Sequence, residues 1–180
     1  HRRSGKGETF EGGVRGVGFV HGAGLSESVK GTTSRSLHHV SDWYKTLLAA
    51  AGAVGSPTLK PDERPFIDGD GIDNWAALSD GAESARHEIF IAGQAEGSDL
   101  QAHALRSGDM KLLWHAELLY DKPGWYPPPS KAWNYTEFTV QCPEPPAEPC
   151  ECTAALPCLF NITADPCEHK NVATNPSMAA

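Results

Sequence analysis

Only one stretch of this 180-residue chain reads as a strand running into a helix, and one such unit cannot close a sheet. Residues 14–20, VRGVGFV, put Val14, Gly16, Gly18 and Val20 on one side and Arg15, Val17 and Phe19 on the other. Apolar residues on both sides predict a strand buried on at least part of both faces. A Gly/Ser/Thr-rich stretch, 21–36, predicts a loop. HHVSDWYKTLLAAAG then predicts the clearest helix of the chain, with Asp42 as N-cap and Gly52 as C-cap. Tyr44, Leu47, Leu48 and Ala51 share one helical face. The rest of such an α/β sheet would have to come from upstream of His1, where no initiator Met is present.

The remainder has a different grammar. Residues 53–70 read as a connector, GIDNWAALSDG as a short helix ending before Gly81, and HEIFIAG as a strand. AHALRSGDMKLLW predicts a hairpin turning at Ser107-Gly108-Asp109, and CLFNIT a last strand before a turn at Asp165-Pro166. Between them lies a Pro-rich excursion, 120–157. The expected architecture is two domains: 1–55, the end of an α/β layer, and 56–180, a small antiparallel-sheet subdomain with a helix.

All five cysteines fall late: Cys142, Cys150, Cys152, Cys158 and Cys167. None forms a C-x-x-C pair and no spaced His pair follows, which argues against a zinc ribbon or finger. Disulfides in an oxidising compartment are expected, with one Cys free or paired with an upstream residue. The sequons at Asn134 and Asn161 agree with a secreted or lysosomal location; Asn175-Pro176-Ser177 is blocked by its Pro. Residues 1–45 carry seven Lys/Arg against four Asp/Glu, and the remainder eight against nineteen. That acidic remainder excludes the basic face that nucleic acid requires. No apolar run reaches membrane-spanning length.

The segment with the chemistry is GKGETFEGGVR, residues 5–15. Glycines around Lys6 let backbone and ammonium approach an oxyanion together. The spacing fits neither the phosphate-binding P-loop nor the dinucleotide motif. From the residues alone the solvated loop lysine is the favoured reading of Lys6, and a functional role the minority one.

GKGETFEGGVR resembles the second signature region of the type I sulfatases, members of the alkaline-phosphatase-like superfamily. There a Gly-Lys-Gly segment runs into Thr-aromatic-Glu-Gly-Gly-x-Arg and then a sheet strand; Lys6, Thr9, Phe10, Glu11, Gly12, Gly13 and Arg15 fall in place. HHVSDWYKTLL, IDGDGIDNW, ALRSGDMKLLW and LFNITADPCEHKNV resemble further segments of that family. Lys45 stands where the family usually has Pro. Residues 124–130, GWYPPPS, with the Asn134 sequon resemble the arylsulfatase B branch, while the Cys-rich stretch 142–158 departs from it.

The resemblance implies a calcium- and formylglycine-dependent sulfuric ester hydrolase acting on aryl sulfates or sulfated sugars. Its formylglycine arises from Cys or Ser in C/S-x-P-x-R. No Cys here heads such a motif, so nucleophile and calcium ligands are expected upstream, and this portion alone is expected to be inactive. The resemblance carries over one active-site residue, Lys6, as a ligand of a sulfate oxygen. Glu11 and Arg15 are expected to brace the loop. His38 and His39 are more simply a packed or surface pair before a helix than an acid and base. His21 follows the strand, where α/β sheets place sites, and a cleft-lining role is its minority reading; His103 and His115 are expected to be structural, and Trp125, Tyr126 and Trp133 to pack a stapled loop or stack on sugar. Two rivals remain open: a non-catalytic, sulfatase-like secreted binding protein, and a small disulfide-rich module with a dispensable start.

Overall fold

The computed structural model describes residues 9–53, 69–92, 103–114, 152–153 and 155–173. The chain divides into two units: His1–Val17 with Phe90–Ala180, and Gly18–Ile89.

The first unit holds a four-stranded sheet in the order β1-β2-β3-β4: β1 Glu88–Ala92, whose first residues belong to the other unit, β2 His103–Ser107, β3 Met110–Trp114 and β4 Cys158–Asn161. The predicted hairpin forms, with Ser107 opposite Met110 and a turn through Gly108 at φ +53°. β3 and β4 pair antiparallel, Lys111 opposite Phe160 and Leu113 opposite Cys158. Directly opposed residues share a face. One face therefore carries Ala104, Arg106, Lys111, Leu113, Cys158 and Phe160, and the other Leu105, Leu112 and Leu159. The first of these faces meets the core of Phe10, Ala104, Leu113, Cys152, Cys158, Phe160 and Ile162, against which Ile91 packs. A disulfide, Cys152–Cys158, ties the approach to β4 onto the strand, and Cys167 is also disulfide-bonded. Cys142 and Cys150 lie outside the described residues.

The strand expected at 14–20 does not form. A single helical turn, α1 (Glu11–Val14), ends there, with the amides of Gly13 and Val14 donating to the Phe10 carbonyl. The chain then runs on without regular structure, with Val17 fully exposed and Phe19 90% exposed. A strand needs a neighbour for its N–H and C=O groups, and among the described residues none pairs with this stretch.

The second unit bears out the helix at 42 and places Asp42 inside it. α2 (Asp42–Ala50) starts one residue after its N-cap position, Ser41, so Asp42 is the first helical residue rather than the cap. Its end is as expected: Gly52, at φ +65°, donates to Ala49 O and Ala53 to Leu48 O, closing a Schellman motif. Most of the apolar face of α2 looks outward, with Leu48 half-buried. Leu47 is 61% exposed, and Val40, Trp43 and Tyr44 are exposed beside it, while the buried residues of the helix are Asp42 and Thr46. Buried polar groups go where their hydrogen-bond partners are. Here the partners lie in residues 72–86, around the short helix α3 (Trp75–Asp80), which ends at Gly81 as predicted.

Asp42 is the hub of this arrangement. Its carboxylate accepts the amides of His39 and Ile72, both at 2.8 Å, and the Arg86 guanidinium through Nε at 2.7 Å and Nη2 at 2.5 Å. Thr46 Oγ1 accepts the Asn74 amide at 3.0 Å, and Ser84 Oγ donates to Asn74 Oδ1 at 2.9 Å. Gly71 belongs to the same junction: a Cβ there would sit 2.2 Å from the Ser41 carbonyl oxygen, so only glycine admits the approach. Burial opposes the Asp42 charge. Arg86 and the two amides outweigh it and hold the carboxyl below its ordinary value of 3.8. A depressed carboxylate stabilises the fold above its ordinary value and loses that contribution as pH falls through the depressed one. Asp42→Asn should thus cost about 3 kcal/mol at neutral pH. The difference from wild type should shrink below the ordinary Asp range, as followed by urea unfolding across pH; a difference that is constant with pH would contradict the pairing.

Candidate functional site

Lys6, the residue singled out from the sequence, lies outside the described residues, as do Asn134, His115, Trp125, Tyr126 and Trp133. The described chain begins at Thr9 and shows how the segment following Lys6 is held. Thr9, Phe10 and Glu11 are all buried. The Phe10 ring tilts against Phe160 of β4, centroids 6.5 Å apart, which seats the segment on the core face of the sheet.

Beside that contact is a buried charge cluster. Lys111, on β3, is 0% exposed, Glu168 is 0% and Glu11 is 2%. Lys111 Nζ donates to Glu11 Oε1 at 3.0 Å and to Glu168 Oε1 at 2.9 Å. Glu168 Oε2 accepts the backbone N–H of Glu11 at 2.7 Å. Arg15 Nη1 stands 3.4 Å from Glu11 Oε2, and Arg106 Nη1 stands 4.0 Å from the same oxygen. Three segments far apart in sequence thus converge: the turn after Lys6, the hairpin, and the closing segment after β4. Glu168 arrives at φ +56°, a conformation L side chains adopt rarely, in a turn where its amide donates to Asp165 O.

The charges explain why burial is tolerated. For Glu11, burial raises the carboxyl, but the Lys111 charge and hydrogen bond, with Arg106 and Arg15, hold it below the ordinary 4.5. For Glu168, burial dominates and, with the neighbouring Glu11 charge, pushes the carboxyl above 4.5 against the opposing pull of Lys111 and the Glu11 amide. The two act oppositely on stability. Glu11 loses its contribution as pH falls through its depressed value, whereas ionising Glu168 costs stability as pH rises from 4.5 through its raised value.

The expectation that Glu11 and Arg15 form a structural brace agrees with this geometry. Lys111 and Glu168 were missed. The available signal was a lone charge alternating with inward-facing Leu113 in MKLLW, and an acid in a turn that follows a buried strand. His38 is packed before α2; burial lowers its pKa, and its Nε2 has no hydrogen-bond partner among the described residues. His39 Nδ1 bonds Ser41 Oγ at 2.8 Å and so serves the helix start. His103 stacks on Trp114 across the hairpin, centroids 5.0 Å apart, and His21 is exposed. Asn161 ends β4, and its Oδ1 accepts the amides of Thr163 and Ala164. Among the described residues no group of three or more His, Cys, Asp or Glu is placed to hold a metal ion, so they do not fit the calcium that the resemblance implies. No helix among them is long and apolar enough to cross a membrane.

No protein-family model matches the chain. The chain is 31% identical to arylsulfatase J of Mus musculus over 192 aligned positions, which take in 96% of this chain and 28% of that protein. The chain therefore spans under a third of this curated relative, and the likeness supports a sulfatase family for it.

The cluster predicts a large single-site effect. Lys111→Met leaves two buried carboxylates facing each other and should cost about 3–5 kcal/mol. Replacing all three charges together, by Glu11→Gln, Lys111→Met and Glu168→Gln, should cost less than the single change. Urea midpoints at pH 7 decide it: a loss below about 1 kcal/mol for Lys111→Met would mean that water reaches the cluster.

Proposed function

We propose that this chain is the C-terminal part of a sulfuric ester hydrolase of the arylsulfatase B branch, acting on aryl sulfates and on the 4-sulfate of N-acetylgalactosamine in glycosaminoglycans. The observation that carries the reading is the likeness to arylsulfatase J along 96% of the chain, together with the GKGETFEGGVR motif at its start. Two unsatisfied surfaces support it. α2 turns an apolar face outward, and residues 15–20 have strand composition without a partner strand among the described residues. Both suit a chain whose first part packs into a larger alkaline-phosphatase-like α/β domain supplied by preceding residues.

In this reading Lys6 binds a sulfate oxygen and balances charge as sulfur is attacked. A unit pair at ~4 Å is worth roughly 4 kcal/mol at an effective dielectric of 20, enough for one ammonium to matter. Calcium would polarise the sulfate, and formylglycine would supply the nucleophile; both belong to the preceding residues. The disulfides at Cys152–Cys158 and Cys167 suit a secreted or lysosomal protein, with glycans at Asn134 and Asn161.

Lys6→Ala in the full-length protein should lower aryl sulfate turnover by about two to three orders of magnitude with the fold retained. Near-wild-type turnover would remove Lys6 from the site. The 180-residue chain should show no turnover with added calcium, and real activity there would contradict an upstream nucleophile. Glycosidase treatment of the secreted protein should shift the masses of the peptides containing Asn134 and Asn161; unshifted peptides would argue against the secretory route.

A further inference from the structure

We propose that Arg15 and Arg106 form a binding site for a sulfate group, free or esterified, at the solvent edge of the buried charge cluster. The inference stands on described side chains of one unit and does not depend on the sulfatase reading.

Arg106 is an underused guanidinium. It lies on β2 directly opposite Lys111, and so on the core face of the sheet. Its side chain is 15% exposed, close to the 12% of Arg86, yet the two arginines are bonded very differently. Arg86 donates to Asp42 from Nε at 2.7 Å and from Nη2 at 2.5 Å. It donates as well to the carbonyls of Glu88 and Asp70, at 3.2 and 2.9 Å. Arg106 donates from Nε to the Gly108 carbonyl at 3.1 Å, and its Nη1 stops 4.0 Å short of Glu11 Oε2. Among the described residues its Nη nitrogens make no hydrogen bond, and neither is sealed from solvent. A guanidinium taken this far out of water with open donors costs stability unless something outside fills them.

A second guanidinium faces the same oxygen. Arg15 Nη1 stands 3.4 Å from Glu11 Oε2, and its side chain is 42% exposed. Close charge-assisted bonds run to about 2.9 Å, so Glu11 Oε2 satisfies neither arginine fully. The other Glu11 oxygen takes Lys111 Nζ at 3.0 Å, and Glu168 also answers Lys111. Three cations thus draw on two acids, and the excess positive charge sits at the open edge, where Arg15 and Arg106 keep their unused donors. The Glu11 charge opposes an added anion, but Lys111 already balances it. Two guanidiniums that approach one oxygen within 4.0 Å are near enough for one tetrahedral group to bridge, each of its oxygens about 2.8 Å from a donor. Sulfate fits better than phosphate. The open groups are donors, and sulfate offers acceptors alone, whereas phosphate near neutral pH also has an O–H to place.

The test is a titration of the 180-residue chain with sodium sulfate in exchange for sodium chloride at constant ionic strength, followed by the arginine Nε–H signals in NMR spectra. The Arg15 and Arg106 signals should shift saturably, with a midpoint on the order of 1 mM. The Arg86 signal should stay in place, because its donors are occupied. Arg106→Lys, which keeps the charge and loses the fork, should raise the midpoint about tenfold. Arg15→Gln, at a more exposed position, should do the same and serves if the first variant fails to fold. Shifts that stay linear in sulfate and equal in the variants would be a general salt effect and would overturn the site. Inorganic phosphate should bind more weakly; equal or tighter phosphate binding would overturn the choice of sulfate. Shifts of the same two signals by N-acetylgalactosamine 4-sulfate would mark an esterified ligand, and shifts by inorganic sulfate alone the free ion. No saturable shift with either removes the site.

Discussion

The small-sheet unit depends on a lysine that has no access to water. Lys111 can be buried only because Glu11 and Glu168 both reach its ammonium, and those two acids can be buried only because Lys111 is between them. Neither half of the arrangement is tolerable alone, so the turn after Lys6, the hairpin and the closing segment must be in place together. This makes the unit cooperative across a long stretch of sequence. Glu11 and Lys111 are 100 residues apart, and Lys111 and Glu168 are 57. Loop closure over such distances costs conformational entropy, and the apolar cluster with its disulfide offsets it.

The Gly18–Ile89 unit repeats the theme with one acid and one base. Asp42 gathers two backbone amides and a guanidinium that reaches it in bidentate fashion. The geometry fits Arg and would not fit Lys, because two parallel N–H bonds need a planar fork. The polar hub also dictates how α2 turns. Asp42 and Thr46 lie one helical turn apart on the same face, and both face residues 72–86. The apolar stripe of the helix is then left outside.

That inversion shows where reading the sequence succeeds and where it stops. Elements whose signals are local were legible: α2 and its Gly52 terminus, α3 up to Gly81, the hairpin at Gly108, and β4. Capping, αL glycines and short-range alternation act within a few residues, so they survive whatever else the chain touches. The strand expected at 14–20 rests on a different assumption, that apolar surface finds cover within the same chain. Among the described residues Val17, Phe19 and Leu47 do not find it. For the site, the Glu11–Arg15 brace was visible because its spacing is i,i+4, whereas Lys111 and Glu168 carry no sequence mark of their mutual contact.

The unsatisfied surfaces bear on how the proposed function is assembled. A chain that puts its charges inside and leaves apolar residues of α2 and of 15–20 outside has an incomplete hydrophobic account. Each Å² of that surface removed from water contributes about 25 cal/mol, so covering it would add stability that the described residues do not supply. The buried cluster behaves differently, because both carboxylates already meet the Lys111 ammonium. The small sheet and the turn from Thr9 to Glu11 are therefore held together by contacts that lie within the described residues.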